Sequence, residues 1–181
     1  MEAQETRVIF SAEQVSDMLR GLAQAIAQRH PDLGGLALVG IRTGGAHLAL
    51  RLRGLLRELC GQAPRAGVMD ITLYRDDWTR LHSRPKVGPT EIDFVIDDRV
   101  VVLVDDVIYT GRTIRAALDA LIDFGRPRRI ELAVLVDRGQ RELPIQPDYV
   151  GARLSPDQGQ VIDVTLTEQG ASQDGVICRQ K

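Results

Sequence analysis

The residues Val101 to Thr113 read VVLVDDVIYTGRT and decide the fold class. Their first four residues form a short, continuous apolar run, which is typical of a strand buried on both faces. Two acids, Asp105 and Asp106, follow this run, and a loop with hydroxyl groups and a glycine leads from them to an amphipathic helix. A buried strand, a short loop and a helix indicate one crossover of a parallel α/β sheet.

Further strands and helices alternate on both sides of this segment. Strand-like composition recurs at residues 36–40, 68–74, 130–136, 148–151 and 161–166. Helices are predicted from about 11 to 30, where Ser11 and Gln14 form a capping box, from about 46 to 59, and from about 114 to a glycine cap at 125. The sequence therefore predicts an α/β fold with a central, mainly parallel sheet flanked by helices.

Composition sets the broad class. The 181 residues fit one domain, and a net charge of −2 argues against a protein whose whole surface binds nucleic acid, although a local basic patch stays open. Arginine is far commoner than lysine, which fits phosphate ligands but equally fits genome composition or thermal adaptation. Two distant cysteines and the absence of a signal peptide or an apolar span predict a cytoplasmic protein without membrane contact.

The loop from Tyr109 to Thr113 has the features of a phosphate site. It precedes a helix N-terminus, where free N–H groups and the helix dipole favour anions. Asp105 and Asp106 come one step earlier, and carboxylates accept hydrogen bonds from vicinal sugar hydroxyls. The order of an acid pair followed by a phosphate loop predicts a site for ribose 5-phosphate. In the alternative interpretation, the acid pair binds no ligand and only starts a loop and caps a helix. No Walker A or dinucleotide-binding motif is present.

The 13-residue segment resembles the phosphoribosyl-pyrophosphate (PRPP) motif of type I phosphoribosyltransferases. VGIRTGG, DITLYRDD, LAVLVDRGQRELP and PDYVG are similar to one subfamily, the bifunctional regulators of pyrimidine (pyr) operons that are also uracil phosphoribosyltransferases. The resemblance runs from about residue 8 to 168. It implies transfer of ribose 5-phosphate from PRPP to uracil, which gives UMP and pyrophosphate, with Mg²⁺ carried by PRPP and bridged through water to Asp105 and Asp106 rather than bound by a direct protein ligand.

The resemblance also implies where the substrates bind. Its catalytic residues are Asp105, Asp106, Arg42 and Arg75. Its substrate-binding residues are Arg42, Thr43, Asp105, Asp106, Val107, Ile108, Tyr109, Thr110, Gly111, Arg112, Thr113, Asp137, Arg138 and Ile162. Arg42 and Thr43 meet the pyrophosphate, residues 107 to 113 surround the 5-phosphate, and Asp137, Arg138 and Ile162 lie at the uracil.

The same resemblance implies one domain over residues 1–181. Its core covers about 8–145, a small hood is formed by the N-terminal segment and by C-terminal strands at about 146–168, and a flexible lid covers about 75–93. The polar residues from 75 to 93 support the lid, because so long a connection in a compact domain is usually a binding loop.

The resemblance also implies a regulatory function: the protein binds a pyr mRNA leader hairpin, more tightly when UMP is bound. It further implies a homodimer or a higher homo-oligomer. Candidate RNA contacts are Arg20, Arg29 and Arg141. Gln140, where the subfamily often has His, departs from the pattern. Two other functions stay open: a regulator whose enzyme site only senses nucleotide, and a phosphoribosyltransferase for another nucleobase without RNA binding.

Overall fold

The computed structural model describes residues 6–76 and 88–180. Its helices are α1 (Ala12–Arg29), α2 (Gly44–Cys60) and α3 (Arg112–Ile122). Its strands are β1 (Arg7–Phe10), β2 (Leu36–Ile41), β3 (Arg65–Met69), β4 (Val100–Ile108), β5 (Arg129–Asp137), β6 (Tyr149–Arg153), β7 (Gln160–Thr165) and β8 (Gly175–Gln180). In the described residues no helix is both long and apolar enough to cross a membrane.

Five strands form a parallel sheet in the order β3-β2-β4-β5-β6. Successive residues of β2 and β4 alternate between two apolar cores. Leu36, Leu38 and Val102 pack on the side of α1 and α2, whereas Val39 and Leu103 pack on the side of α3. Because both faces are covered, the strands are apolar throughout, and each buried leucine contributes about 1.5–3 kcal/mol. The predicted α/β fold is confirmed.

A second, antiparallel sheet has the order β1-β8-β7. The inward side chains Ile162, Val164, Val176 and Cys178 join the core on the α1 and α2 side. Neither β1 nor β8 was predicted from the sequence. Both strands are short, and they depend on pairing with distant parts of the chain, since β8 pairs with β1 on one side and with β7 on the other. Residues 149–153, which the sequence assigned to the hood, instead pair with β5 in the main sheet.

Three element boundaries differ from the sequence prediction. The predicted strand 68–74 is β3 followed by a 3-10 turn at Thr72–Tyr74, because the Asp70 carboxylate accepts a hydrogen bond from Thr72 N and ends the strand. Helix α2 starts two residues early and includes both glycines. Helix α3 ends at Ile122 rather than beside Gly125. The capping box of Ser11 and Gln14 at α1 is confirmed.

Candidate active site

The carboxyl ends of β2, β4 and β5 lie side by side at one edge of the sheet, where parallel α/β sheets bind ligands. A predicted site segment lies at each of these ends. Arg42–Thr43 follows β2, Asp105–Asp106 lies in the last residues of β4, and Asp137–Arg138 lies at the end of β5. Val107 pairs with Val136, and Ile108 with Asp137. The phosphate loop, residues 109–113, and the base-side loop, residues 137–145, therefore leave the sheet at neighbouring positions.

A cavity of about 240 Å³ opens at the start of α3. It is lined by Arg75, Asp76, Asp105, Val107, Ile108, Tyr109, Thr110, Gly111, Arg112, Thr113 and Ile114. The lining thus contains nine of the predicted site residues, together with Asp76 and Ile114. Gly111 precedes α3 at φ 93, which favours glycine, and has no side chain to cap the helix, although Thr110 Oγ1 accepts from Arg112 N at 3.3 Å. The free N–H groups at this helix start can therefore receive a phosphate.

Asp105 is buried, with 6% of its surface exposed, and Asp106 lies beside it. Burial, and next the charge of Asp106, raise the pKa of Asp105 well above its usual range, while the charge of Arg75 partly opposes this. Burial also raises the pKa of Asp106, against the hydrogen bond from Val107 N, which is 2.7 Å from its Oδ1. Two desolvated carboxylates side by side are costly unless a ligand compensates them.

Asp105→Asn should therefore stabilise the ligand-free protein near pH 8. The pKa of Asp105 is raised in the folded state, so losing its proton costs more in the folded than in the unfolded protein, and this penalty shrinks as the pH falls through the raised pKa. We expect a melting temperature about 2–4 °C above wild type near pH 8, with the difference shrinking as the pH is lowered, measured by circular dichroism.

Asp119→Asn, at an exposed position of α3, is the matched control and should change the melting temperature by no more than about 1–2 °C. An Asp105→Asn protein that melts below wild type near pH 8 would contradict the assignment of a strained acid pair.

Two glycines bring the start of α2 against β4. A Cβ atom on Gly45 would lie 2.1 Å from Val104 O, and one on Gly44 would lie 2.1 Å from the Asp106 carboxylate. Only glycine allows this approach. Both glycines belong to the VGIRTGG motif, but this role was not predicted for them, although paired glycines directly after a buried strand are a signal for it.

The base-side loop 137–145 is fastened to the phosphate loop. Ile108 O accepts from Arg138 N at 3.1 Å, and Thr110 O accepts from Glu142 N at 2.9 Å. The Arg141 guanidinium donates to Tyr109 O at 2.9 Å and to the Asp137 carboxylate at 2.8 Å. Arg141, predicted to contact RNA, is mostly buried. Because its guanidinium donates to both loops of this chain, its structural role is to hold them together.

Arg138 is buried, and its guanidinium lies 3.9 Å from the centroid of the Tyr109 ring. Its Nη2 donates to Gln160 O at 3.3 Å, so it bridges the phosphate loop and β7. Arg112, predicted to bind the phosphate, is half-exposed and forms ion pairs of 2.6 Å with Asp76 and with Glu142. Neither acid was predicted as a site residue.

Several predicted residues lie outside the 240 Å³ cavity. Ile162 lines a separate cavity of about 630 Å³ under the small sheet, next to Leu154 and Cys178. Arg42 lies at the end of β2, and its peptide bond to Thr43 is cis. Of the predicted lid 75–93, residues 77–87 lie outside the described part of the chain.

The comparisons with known proteins decide the family. Residues 11–169 match the family described as phosphoribosyl transferase domain. The chain is 52% identical to the bifunctional protein PyrR of Syntrophobacter fumaroxidans over 94% of this chain and 90% of that protein, and 50% identical to the PyrR protein of Thermus thermophilus over 88% of each. This chain is a phosphoribosyltransferase of the PyrR family. The predicted resemblance is confirmed.

Solved structures agree on the fold. The hypoxanthine phosphoribosyltransferase of Trypanosoma cruzi superposes on this PyrR-family chain with a TM-score of 0.70 at 19% identity, covering 97% of each chain. A structure of a T. cruzi enzyme of that name in complex with the product IMP gives a TM-score of 0.71 at 17% identity, covering 99% of this chain and 92% of that one. The predicted phosphoribosyltransferase fold is therefore confirmed.

The acid pair also fits Mg²⁺, which the family implies. Carboxylate oxygens are the donors that this ion prefers, and a cation would relieve the repulsion that raises the pKa of Asp105. Among the residues that the structure describes, no group of three or more His, Cys, Asp or Glu side chains could enclose a metal. The oxygen donors of Asp105 and Asp106 fit a Mg²⁺ ion that keeps its water ligands.

Proposed function

We propose that this chain transfers the ribose 5-phosphate of PRPP to uracil and also binds the leader RNA of pyrimidine genes in response to UMP. The observation that carries the transfer is the position of the acid pair: Asp105 lines the same cavity as the uncapped start of α3. The phosphate binds to the N–H groups from Gly111 onward, and the ribose hydroxyls donate to Asp105 and Asp106.

Catalysis in this proposal is positioning and charge stabilisation. The ribose carbon becomes positive as its bond to pyrophosphate breaks, and the buried acid pair favours that charge. Mg²⁺, when bound, neutralises charge on the departing pyrophosphate. Arg42 and the N–H groups at the start of α2 receive the pyrophosphate oxygens, Arg75 lies by the acid pair, and residues 75–93 exclude water from PRPP.

Uracil binds beside Arg138, between the ends of β5 and β7. Arg138 already contacts both Tyr109 of the phosphate loop and Gln160 of β7, which supports a base site at this junction. Asp137 keeps the loop in shape by accepting from Gly139 N at 2.9 Å and from Arg141. Ile162, on β7 two residues beyond Gln160, is assigned as an apolar wall of the base site on the side of the neighbouring 630 Å³ cavity, which its side chain lines.

Pyrophosphate release with PRPP and uracil, hypoxanthine or orotate tests the transfer. Uracil alone should support release, and the reaction should require Mg²⁺. Turnover of hypoxanthine or orotate in place of uracil would establish a phosphoribosyltransferase for another base. PRPP and UMP binding without turnover would leave a nucleotide sensor.

The RNA-binding half rests on α1. The Arg20 side chain is 59% exposed and, among the residues that the structure describes, forms an ion pair with Asp17 at 2.9 Å, so it can reach a phosphate. Arg29 is less accessible, since it pairs with Glu131 and Asp148 and lies over the Tyr149 ring. A homodimer or higher homo-oligomer in the cytoplasm would join the α1 arginines of two chains into one basic surface despite the net charge of −2.

Arg20→Ala should weaken binding of a pyr leader hairpin and leave uracil transfer unchanged. Loss of one phosphate contact should lower the slope of log K against log salt by about 1. Gel shifts at several salt concentrations, with and without UMP, measure this.

Arg57→Ala, an exposed arginine near the end of α2, is the matched control. An equal effect of Arg20→Ala and Arg57→Ala on RNA affinity would show that only total charge matters. The absence of UMP-dependent RNA binding in the wild-type protein would remove the regulatory half.

A further inference from the structure

Asp70 directly follows β3 and holds together two distant parts of the chain. Its carboxylate accepts from Thr72 N at 2.7 Å and from Gly88 N at 2.6 Å. Its own N–H donates to Thr90 Oγ1 at 3.1 Å. A single side chain therefore fixes the backbone on both sides of residues 77–87, at the edge of the sheet where the site lies.

The segment that Asp70 fixes also holds Arg42. Arg42 Nε donates to Pro89 O at 2.9 Å, and its Nη2 is 3.4 Å from Glu91 Oε1. Glu91 is anchored in turn, because its N–H and carbonyl both bond to the backbone of Val68, at 2.7 and 2.9 Å. The Arg42 guanidinium thus rests on a short stretch of backbone whose position Asp70 sets.

The charge state of Asp70 agrees with this role. Partial burial acts to raise its pKa, but the hydrogen bonds from Thr72 and Gly88 and the charge of Arg42 outweigh burial and lower the pKa. The carboxylate is therefore ionised at neutral pH and attracts the Arg42 guanidinium as well as the two N–H groups. A charge-assisted hydrogen bond of this kind is stronger than a neutral one.

We propose that Asp70 is a positioning residue for the pyrophosphate end of the site: through Gly88 and Pro89 it orients Arg42 towards the leaving group. This inference rests on the proposed role of Arg42 in pyrophosphate binding. It predicts a selective effect, because PRPP and pyrophosphate reach Arg42, whereas UMP carries only the 5-phosphate held at the start of α3.

Asp70→Asn tests the proposal. It keeps the shape of the side chain but removes its charge. Calorimetry should show affinities for Mg²⁺–pyrophosphate and PRPP about tenfold lower, and a UMP affinity changed by less than about twofold. Asp32→Asn is the matched control, since Asp32 also accepts a backbone hydrogen bond, from Gly34 N at 2.8 Å, but precedes β2 at the opposite end of the sheet.

Gly88→Ala is a second variant for the case in which Asp70→Asn does not fold. Its Cβ would lie 2.8 Å from Asp70 Oδ2 and 3.1 Å from Arg42 Cδ, so it pushes the contact apart without removing the carboxylate. The same selective loss is expected. Gly35→Ala is its control, because a Cβ there meets no atom within 4 Å.

The outcomes separate this inference from the proposed function. Selective loss of pyrophosphate and PRPP affinity supports the inference even if uracil is not the base that the enzyme uses. Unchanged affinities overturn it, and so does an equal loss of UMP affinity, which would indicate a general structural role. A wild-type protein that binds neither PRPP nor pyrophosphate removes both the inference and the proposed transfer.

Discussion

Asp106→Asn is expected to lower uracil transfer by about two to three orders of magnitude while the protein stays folded. In the proposed function, the substitution removes one of the two adjacent acids that stabilise the developing positive charge on the ribose. It keeps an oxygen that can accept the hydrogen bond from Val107 N, so the local backbone should be preserved. Initial rates of pyrophosphate release at saturating PRPP and uracil measure the effect.

The control for Asp106→Asn is again Asp119→Asn, whose exposed carboxylate forms an ion pair with Arg115 on the same helix face and which should retain wild-type turnover. UMP binding gives an independent readout, because in the proposed function the ribose hydroxyls of UMP donate to the same acid. Wild-type turnover by Asp106→Asn would remove the assignment of this acid to the ribose.

Gly45→Ala should abolish transfer and destabilise the protein by about 1–3 kcal/mol, lowering the melting temperature by about 3–10 °C. Alanine normally favours a helix, and Gly45 lies in α2. The added Cβ, however, would lie 2.1 Å from Val104 O and 3.0 Å from Asp105 Cα, and neither backbone atom can move without shifting β4. The acid pair and the start of α2 must then separate.

Gly54→Ala in the same helix gives a comparison of opposite sign. A Cβ at Gly54 meets no atom within 4 Å, so the gain in helix propensity should raise the melting temperature by about 2–4 °C and leave turnover unchanged. Differential scanning calorimetry of both variants measures the contrast. If Gly45→Ala melts at or above the temperature of wild type, the close approach of α2 to β4 is not required.

Both variants show where sequence reasoning was sufficient and where it was not. Asp106 could be selected from its place in a specific motif, because the chemistry of an acid pair before a phosphate loop is local in sequence. The paired glycines after β2 signal a close approach, but the sequence does not show that Gly45 approaches Val104, almost sixty residues away. Arg141 illustrates the same limit: only the folded chain reveals that its guanidinium spans Tyr109 and Asp137.

The sequence by itself determined the order of β2 to β7 and of the three helices, the parallel sheet and the segments proposed to form the site. These follow from patterns within a few residues: continuous apolar runs, a capping box, and an acid pair before a glycine loop. Tertiary structure alone decided that β6 joins the main sheet, that β1 and β8 complete the small one, and that Asp70 reaches Gly88. Each of these depends on contacts between residues distant in the chain, and the local sequence of either partner does not determine the free energy of such a contact.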